Sequence, residues 1–415
     1  MKKNILTLGM ALTMIIGVTS CGGNSTENET SQGAEDTSQG AEDTSQGAED
    51  TSQGAEDITD ISLPVKYPEE TVKIGVEIYD ATDSETLKLQ DYYASLVESG
   101  LNVEFIYSEA LTSAEAEMAF IDNCYNAGVD AVFGYYNISQ GEVAQKCFDY
   151  GMYYTGAAFD YEDVIEKFDS NEFAVSHIKN GDGDYNAGYS LGEYCVENGA
   201  SKVVFASGGA DFGVTMFVNR RQGFLDAIEG KGIEVIDVAG FPGDAFFADQ
   251  TAALTEDIDT VVASFNGLDF WAQPIATAGK SETVDLITIG AINDYYIDAF
   301  ENGTVSYLIS SNLQRHGIAI ALLVNAVQDN AEQMQVDGNI GIYTVDLWSI
   351  STLEEAVEYN EMLKGSDGVR YDDLMTLMAG VCPEASSESI QSIVDGCIDL
   401  ETLMERNTDC LWNDR

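Results

Sequence analysis

The chain has 415 residues, with 72 acidic against 18 basic side chains and a net charge of −54. Such a surface repels phosphate backbones and anionic lipid, so it excludes nucleic-acid binding and attachment through a basic face. Seven cysteines without a CxxC pair argue against a structural zinc site.

The N-terminus reads MKKNILTLGMALTMIIGVTSCGG. Lys2 and Lys3 precede a short apolar run, Ile5 to Val18, too short to span a bilayer comfortably. Residues 1–20 are therefore expected to be an export signal. Val18-Thr19-Ser20-Cys21 resembles a bacterial lipobox, which implies a lipidated Cys21 on the outer face of the cytoplasmic membrane. Four copies of TSQGAED follow, from Thr30 to Asp57. Each copy carries one alanine and no larger apolar residue, so the seven-residue period has no coiled-coil seam to bury. Residues 21–64 are expected to be an acidic, self-repelling tether.

From Val72 the chain alternates short apolar runs with helical patterns. VKIGVEIY reads as a strand, and SETLKLQDYYASLVESG as a helix capped by Ser84 or Asp83. NVEFIYS, VDAVFGYY and MYYTGAAF continue as strands, with helices starting at Ser113 and Ser139 between them. The rhythm resumes with KVVFASG, IEVIDVAG, TVVASFN and DLITIGA as strands. Near-continuous apolar strands alternating with helices argue for parallel sheets covered on both faces. Two runs of such units suggest two lobes, and ligands of such folds bind at the carboxyl ends of the strands.

KNGDGDYNAGYSLGEY, residues 179–194, lies between the two runs. Asp182, Asp184, Asn186 and Glu193 occupy places 1, 3, 5 and 12 of a calcium-loop pattern. Ala187 stands at the sixth place, where the loop needs glycine, so the calcium pattern is incomplete.

Several stretches together resemble the type I periplasmic substrate-binding proteins of simple-sugar ABC transporters. They are VKIGVEIYD, NAGVDAVFGYY, DYNAGYSLGEYCVENG, RRQGFLDAIEGKGIEVI, VVASFNGLDFWAQPIATAGK, LITIGAINDYYIDAFENGTVSYLISSN and HGIAIALLVNAV. Their order and spacing span Val72 to Ile350. The resemblance implies an α/β fold of two doubly wound parallel-sheet lobes joined by three crossover strands, closing on a ligand by hinge motion. It divides the body into an N-terminal lobe of residues 65–178 with 312–341 and a C-terminal lobe of 179–311 with 342–350. It also implies that residues 179–194 leave the first crossover and begin a second-lobe helix, with Asp184 expected to cap it, Ala187 and Gly188 to let it lie close to its sheet, and Asp182 to reach the rim of the cleft. Residues 351–415 exceed what that fold needs and read as a helical extension.

The resemblance also carries ligand-binding candidates. Arg220 stands at the arginine of the R––GF signature, where a guanidinium fork grips hydroxyl pairs or a carboxylate. Asn266 ends VVASFN and offers donor and acceptor together. Tyr79 with Asp80, and Phe159 with Asp160, end strands of the first lobe. Asn293, Asp294 and Ser311 lie at expected ligand positions of the second lobe and second crossover. Tyr135, Tyr136, Phe212, Phe270 and Trp271 are aromatics near strand ends, suited to stacking on a ring when they are not core. After the first strand the chain reads Ala81-Thr82-Asp83-Ser84 where relatives carry aromatics, so a nucleoside, modified sugar or polyol also fits.

No HExxH, GxSxG or P-loop is present, and ASGGADFG lacks GxGxxG. The expectation is therefore a monomeric, lipid-anchored binding protein that hands a small polar ligand to ABC transporter permease subunits, with no catalysis, cofactor or metal. A nucleoside-binding relative, a sensor for a membrane receptor and a glycoside hydrolase are the rival readings. Cys382, Cys397 and Cys410 cluster in the tail, where a disulfide is possible. Cys124, Cys147 and Cys195 sit in helical patterns as buried thiols.

Overall fold

The computed structural model describes residues 66–397, with breaks at 79–80, 83, 112, 135–138, 158–167, 169–170, 180–182, 213, 242, 312, 346 and 364–368, and residues 401–402. The expected signal, Cys21, the tether and Cys410 lie outside the described residues. No helix among the described residues is long and apolar enough to cross a membrane.

The first sheet contains β1 (Tyr67–Val76), β2 (Leu101–Tyr107), β3 (Ala131–Gly134), β4 (Tyr153–Ala157), β5 (Ala174–Lys179) and β11 (Gly341–Thr344). Their order is β11-β5-β4-β3-β1-β2, all parallel. Helices α1 (Ser84–Glu98), α2 (Ala114–Ala127) and α3 (Gln140–Asp149) connect the first four strands.

The second sheet contains β6 (Lys202–Gly208), β7 (Glu234–Ala239), β8 (Thr260–Ala263), β9 (Asp285–Gly290), β10 (Tyr307–Ser310) and β12 (Trp348–Ile350). Their order is β12-β10-β9-β8-β6-β7, parallel except for β12 against β10. It is served by α4 (Gly183–Glu197), α5 (Thr215–Ile228), α6 (Asp244–Ala253), α7 (Gly267–Thr277) and α8 (Asp294–Glu301). Helix α9 (Gln314–Val327) carries the chain back to the first sheet.

The continuous apolar strands supply both faces of each sheet. In β6, Val203 and Phe205 join the core under α4 and α5, while Val204 and Ala206 join the core under α6, α7 and α8. In β8, Val262 faces the first of these cores, and Val261 and Ala263 the second. The first sheet is likewise sandwiched between a core shared with α1 and α9 and another shared with α2 and α3. Alternation along a strand sends successive side chains to opposite faces, so a strand buried on both faces cannot show a polar side.

Local signals set the ends of the helices. Ser113 caps α2 by accepting from the Ala116 amide, and Gly128 ends that helix at φ 68°. Asn293 caps α8 by accepting from the Tyr296 amide.

Gly341 to Thr344 pair in parallel with β5, and Trp348 to Ile350 pair with β10 of the second sheet. The expected change of lobe at residue 342 thus falls inside β11, whose ladder with β5 holds it in the first sheet.

The tail forms α10 (Leu353–Leu363), α11 (Tyr371–Leu377) and α12 (Ser387–Asp395). Tyr359 of α10 stacks on Trp348 at 4.5 Å within the second lobe's core. Leu374, Met375, Ile390 and Val394 belong to the first lobe's core. Asn325 of α9 fixes this end of the tail, donating to the Leu377 carbonyl at 2.7 Å and accepting from the Ala379 amide at 2.8 Å. Cys382 is a free thiol, as are the buried Cys124, Cys147 and Cys195, and the Cys397 thiol donates to the Ile393 carbonyl at 3.0 Å.

Candidate functional site

The second lobe's part of the site is built by two helices in close contact. At Gly188 of α4, a Cβ would lie 1.9 Å from the Arg220 carbonyl oxygen of α5. At Gly223 of α5, a Cβ would lie 2.0 Å from the Tyr185 carbonyl oxygen of α4. Both positions must be glycine because each faces backbone, which cannot rotate away. The sequence suggested that Gly188 served approach to the sheet; it serves approach to α5, while Ala187 packs into the sheet-facing core.

That approach places Arg220. Asp184 lies one turn before Gly188, inside the first turn of α4, and its Oδ1 accepts from Arg220 Nε at 2.9 Å and pairs with Nη2 at 2.8 Å. Arg220 Nη1 donates to the Ser264 carbonyl at 2.8 Å. Asp184 is thus the guanidinium's partner as well as a helix-start residue. Its carboxylate neutralises a charge that burial would otherwise penalise. Ser264 directly follows β8, so Arg220 stands at the carboxyl edge of the second sheet, beside the point where strand order reverses between β6 and β8. These contacts use three of the five N–H donors of the guanidinium.

Asn266 and Asn293 share one organiser. The Tyr296 hydroxyl donates to Asn266 Oδ1 at 2.9 Å, and the Tyr296 amide donates to Asn293 Oδ1 at 3.1 Å. Asn266 Nδ2 donates to Asp269 at 2.7 Å. Burial, the largest cause, and nearby carboxylates hold the Tyr296 hydroxyl well above the usual tyrosine range, so it remains a donor. Arg220, Asn266 and Asn293 therefore gather at the carboxyl ends of β8 and β9.

The remaining second-lobe candidates have other contacts. Asp294 is exposed and accepts from Asn360 Nδ2 of the tail at 2.7 Å. Phe270 is half-buried against Phe265, with ring centroids 5.9 Å apart. Trp271 is fully buried in the core and offers no face to a ligand. Ser311 is buried at the second crossover and donates to Glu85 Oε1 of α1 at 2.7 Å.

Tyr79, Asp80, Tyr135, Tyr136, Phe159, Asp160 and Asp182 lie outside the described residues, and so does the side chain of Phe212. The described residues of the first lobe's carboxyl edge include a buried polar row that sequence reasoning missed. Gly134, Gly156 and His177 are paired across β3, β4 and β5. A Cβ at Gly156 would lie 2.2 Å from Gln140 Nε2 and 3.2 Å from His177 Nδ1, so glycine makes room for both. Glu77, just beyond β1, is fully buried, and its carboxylate oxygens have no hydrogen-bond partner among the described residues. Burial first, and the charge of Glu117 second, raise its pKa well above the usual carboxylate range. Only three-dimensional neighbours distinguish Glu77 from an ordinary strand-end glutamate.

His316, the second histidine, is a core residue. Its Nδ1 lies 2.9 Å from the Tyr93 hydroxyl, and burial above all, then Arg315, lowers its pKa well below the usual range. No group of three or more His, Cys, Asp or Glu side chains among the described residues could hold a metal ion. Glu193 lies exposed on α4, more than two turns from Asp184, so it cannot close a calcium loop with it.

No protein-family model matches the sequence, and no curated protein matches it. Solved structures do match. A periplasmic solute-binding protein of an ABC transporter from Actinobacillus succinogenes 130z, with bound D-allose, aligns at TM-score 0.57 and 16% identity. The alignment covers 70% of this chain and 100% of that one. An ABC transporter solute-binding protein from Bacillus halodurans C-125, with bound myo-inositol, gives 0.54 at 17% identity over 71% and 99% of the chains. The periplasmic binding protein component of the arabinose ABC transporter from Shewanella sp. ANA-3, bound to L-arabinofuranose, gives 0.53 at 14% identity over 71% and 97%. The chain has the type I periplasmic binding protein fold.

Proposed function

We propose that this protein is an extracytoplasmic solute-binding protein that captures a simple sugar between its two lobes and delivers it to the permease of an ABC transporter. The observation that carries the reading is the placement of Arg220, held by Asp184 and the Ser264 carbonyl at the strand-order reversal of the second sheet. Asn266 and Asn293 stand at the adjacent strand ends, and their amides and the guanidinium suit a ligand rich in hydroxyls. The structural neighbours with bound D-allose, myo-inositol and L-arabinofuranose share this fold.

Capture then follows from elementary terms. Hydroxyls exchange water for fixed donors, and closure of the lobes removes the remaining water, which strengthens each polar contact. Closure in this reading is a hinge motion of one lobe against the other. Tyr79, Asp80, Tyr136, Phe159 and Asp160 complete the first lobe's half of the site in this reading. Lipidation of Cys21 and the tether of residues 21–64 hold the body within reach of the permease. No catalytic step, cofactor or metal enters.

The test is calorimetric titration of purified protein with aldohexoses, pentoses, myo-inositol and nucleosides. Micromolar or tighter binding of one sugar, lost in Arg220→Met, is expected. Binding of a nucleoside with no response to any sugar would overturn the sugar assignment. Turnover of a glycoside, abolished by changing one carboxylate, would overturn the binding role. The anchor has its own test: Cys21→Ser should move the protein from the membrane fraction to the medium.

A further inference from the structure

The tail contributes to both lobes. Ala356 and Tyr359 of α10 are buried in the second lobe's core, and α11 and α12 in the first lobe's core. Tyr92 of α1 donates to the Val369 carbonyl at 2.6 Å, and Val369 packs against Gly317 of α9. The chain therefore joins the lobes a fourth time, after the three crossovers.

Beside that connection the lobes meet directly. Lys88 of α1, in the first lobe, donates to the Ile292 carbonyl just beyond β9 of the second. The same ammonium donates to Asn360 Oδ1 of α10 at 3.2 Å. Asn360 is 2% exposed, and its Nδ2 donates to Asp294 of α8 at 2.7 Å. One tail amide thus satisfies a first-lobe cation with its oxygen and a second-lobe carboxylate with its nitrogen. Asn360 is buried while Lys88 is half-buried and Asp294 exposed, so separating the lobes here breaks the hydrogen bonds of a charged donor and leaves the Asn360 amide to be rehydrated.

We infer that α10 is a built-in clamp on lobe closure, with Asn360 as its bolt between Lys88 and Asp294. The clamp holds the lobes together before ligand arrives, so the closed form is populated in the free protein. A ligand that selects a populated closed form binds with a smaller conformational cost. The clamp does not depend on which ligand the cleft takes.

The test measures the distance between lobes in ligand-free, full-length protein. Nitroxide labels are placed at Val97→Cys of α1 and Val218→Cys of α5, both exposed. The background carries Cys21→Ser, Cys382→Ser and Cys410→Ser, since the other four cysteines are buried. Electron–electron resonance is expected to show one short, narrow distance in this background. Asn360→Leu and Lys88→Met should each broaden it toward longer distances, and Lys88→Arg should restore the narrow distribution. Unchanged distributions in both Asn360→Leu and Lys88→Met, with cooperative thermal unfolding retained, would overturn the clamp. Lys88→Met leaves the tail intact, so it decides the matter should Asn360→Leu fail to fold.

Discussion

Replacing Gly188 with alanine tests how Arg220 is placed. The added methyl would lie 1.9 Å from the Arg220 carbonyl oxygen and 2.6 Å from its carbonyl carbon. A carbon needs about 3.3 Å from such an oxygen, so α4 and α5 would have to part by roughly 1.4 Å. Neither side of the contact can rotate away, because the neighbour is backbone. The strain belongs at the upper end of the usual overpacking range, about 3 kcal/mol. Alanine returns about 1 kcal/mol by its better helix propensity. The net loss is roughly 2 kcal/mol, which urea unfolding resolves as a lower midpoint at unchanged slope. Asn186→Ala, exposed on the same helix, sets the baseline. The separation also loosens the grip of Asp184 on Arg220, so ligand affinity should fall along with stability. If Gly188→Ala were as stable as the parent and bound ligand equally well, the close-approach account of Arg220 would be wrong.

Other substitutions probe the remaining links. Asp184→Ala strands a buried guanidinium and should cost about 3–5 kcal/mol in urea unfolding, whereas a loss under 1 kcal/mol would mean that water reaches Arg220 freely. Glu77 has a folded pKa raised above its unfolded value, so its contribution to stability is complete below the ordinary glutamate range, near pH 4.3, and is lost as pH rises through the folded pKa. Glu77→Gln should accordingly be more stable than the parent in mildly alkaline buffer, with the difference vanishing near pH 4; equal midpoints at both pH values would refute a protonated Glu77. Burial raises the Cys124 and Cys195 thiols to about 12 and Cys147 also upward, so native protein should leave these three unalkylated by iodoacetamide at pH 8, and urea should expose them.

Some of this architecture is present in the order of residues. A strand such as TVVASFN, apolar at consecutive positions, has to be covered on both faces, and parallel pairing with helices on each side is the arrangement that covers it. The arginine and glycine of RRQGF are three residues apart, about one helical turn, which sets them on one side of α5. Gly223 lets α5 touch α4, and Arg220 on the same face reaches Asp184. Asn293 before a helical run could be read as a cap from its type and place alone.

Other features had no linear signal. Glu77 differs from any glutamate near a strand end only because Glu117, Cys124 and Cys147 surround it after folding. Lys88, Asn360 and Asp294 are separated by up to 272 residues in their contacts, and no spacing rule connects them. The change of lobe near residue 342 was misplaced because GIYT suits either sheet by composition; the ladder with β5 decided it.

The sequence by itself determined the composition of the acidic repeat, with no residue larger than alanine to bury, and the alternation that makes two sheet lobes. Those depend on composition and on periods of two and 3.6 residues, which are local properties of a chain. Tertiary structure alone decided which carboxylate Arg220 meets, which acid is buried without a hydrogen-bond partner among the described residues, and how the tail reaches both lobes. Those depend on distances between segments far apart in sequence, and only packing brings such segments together.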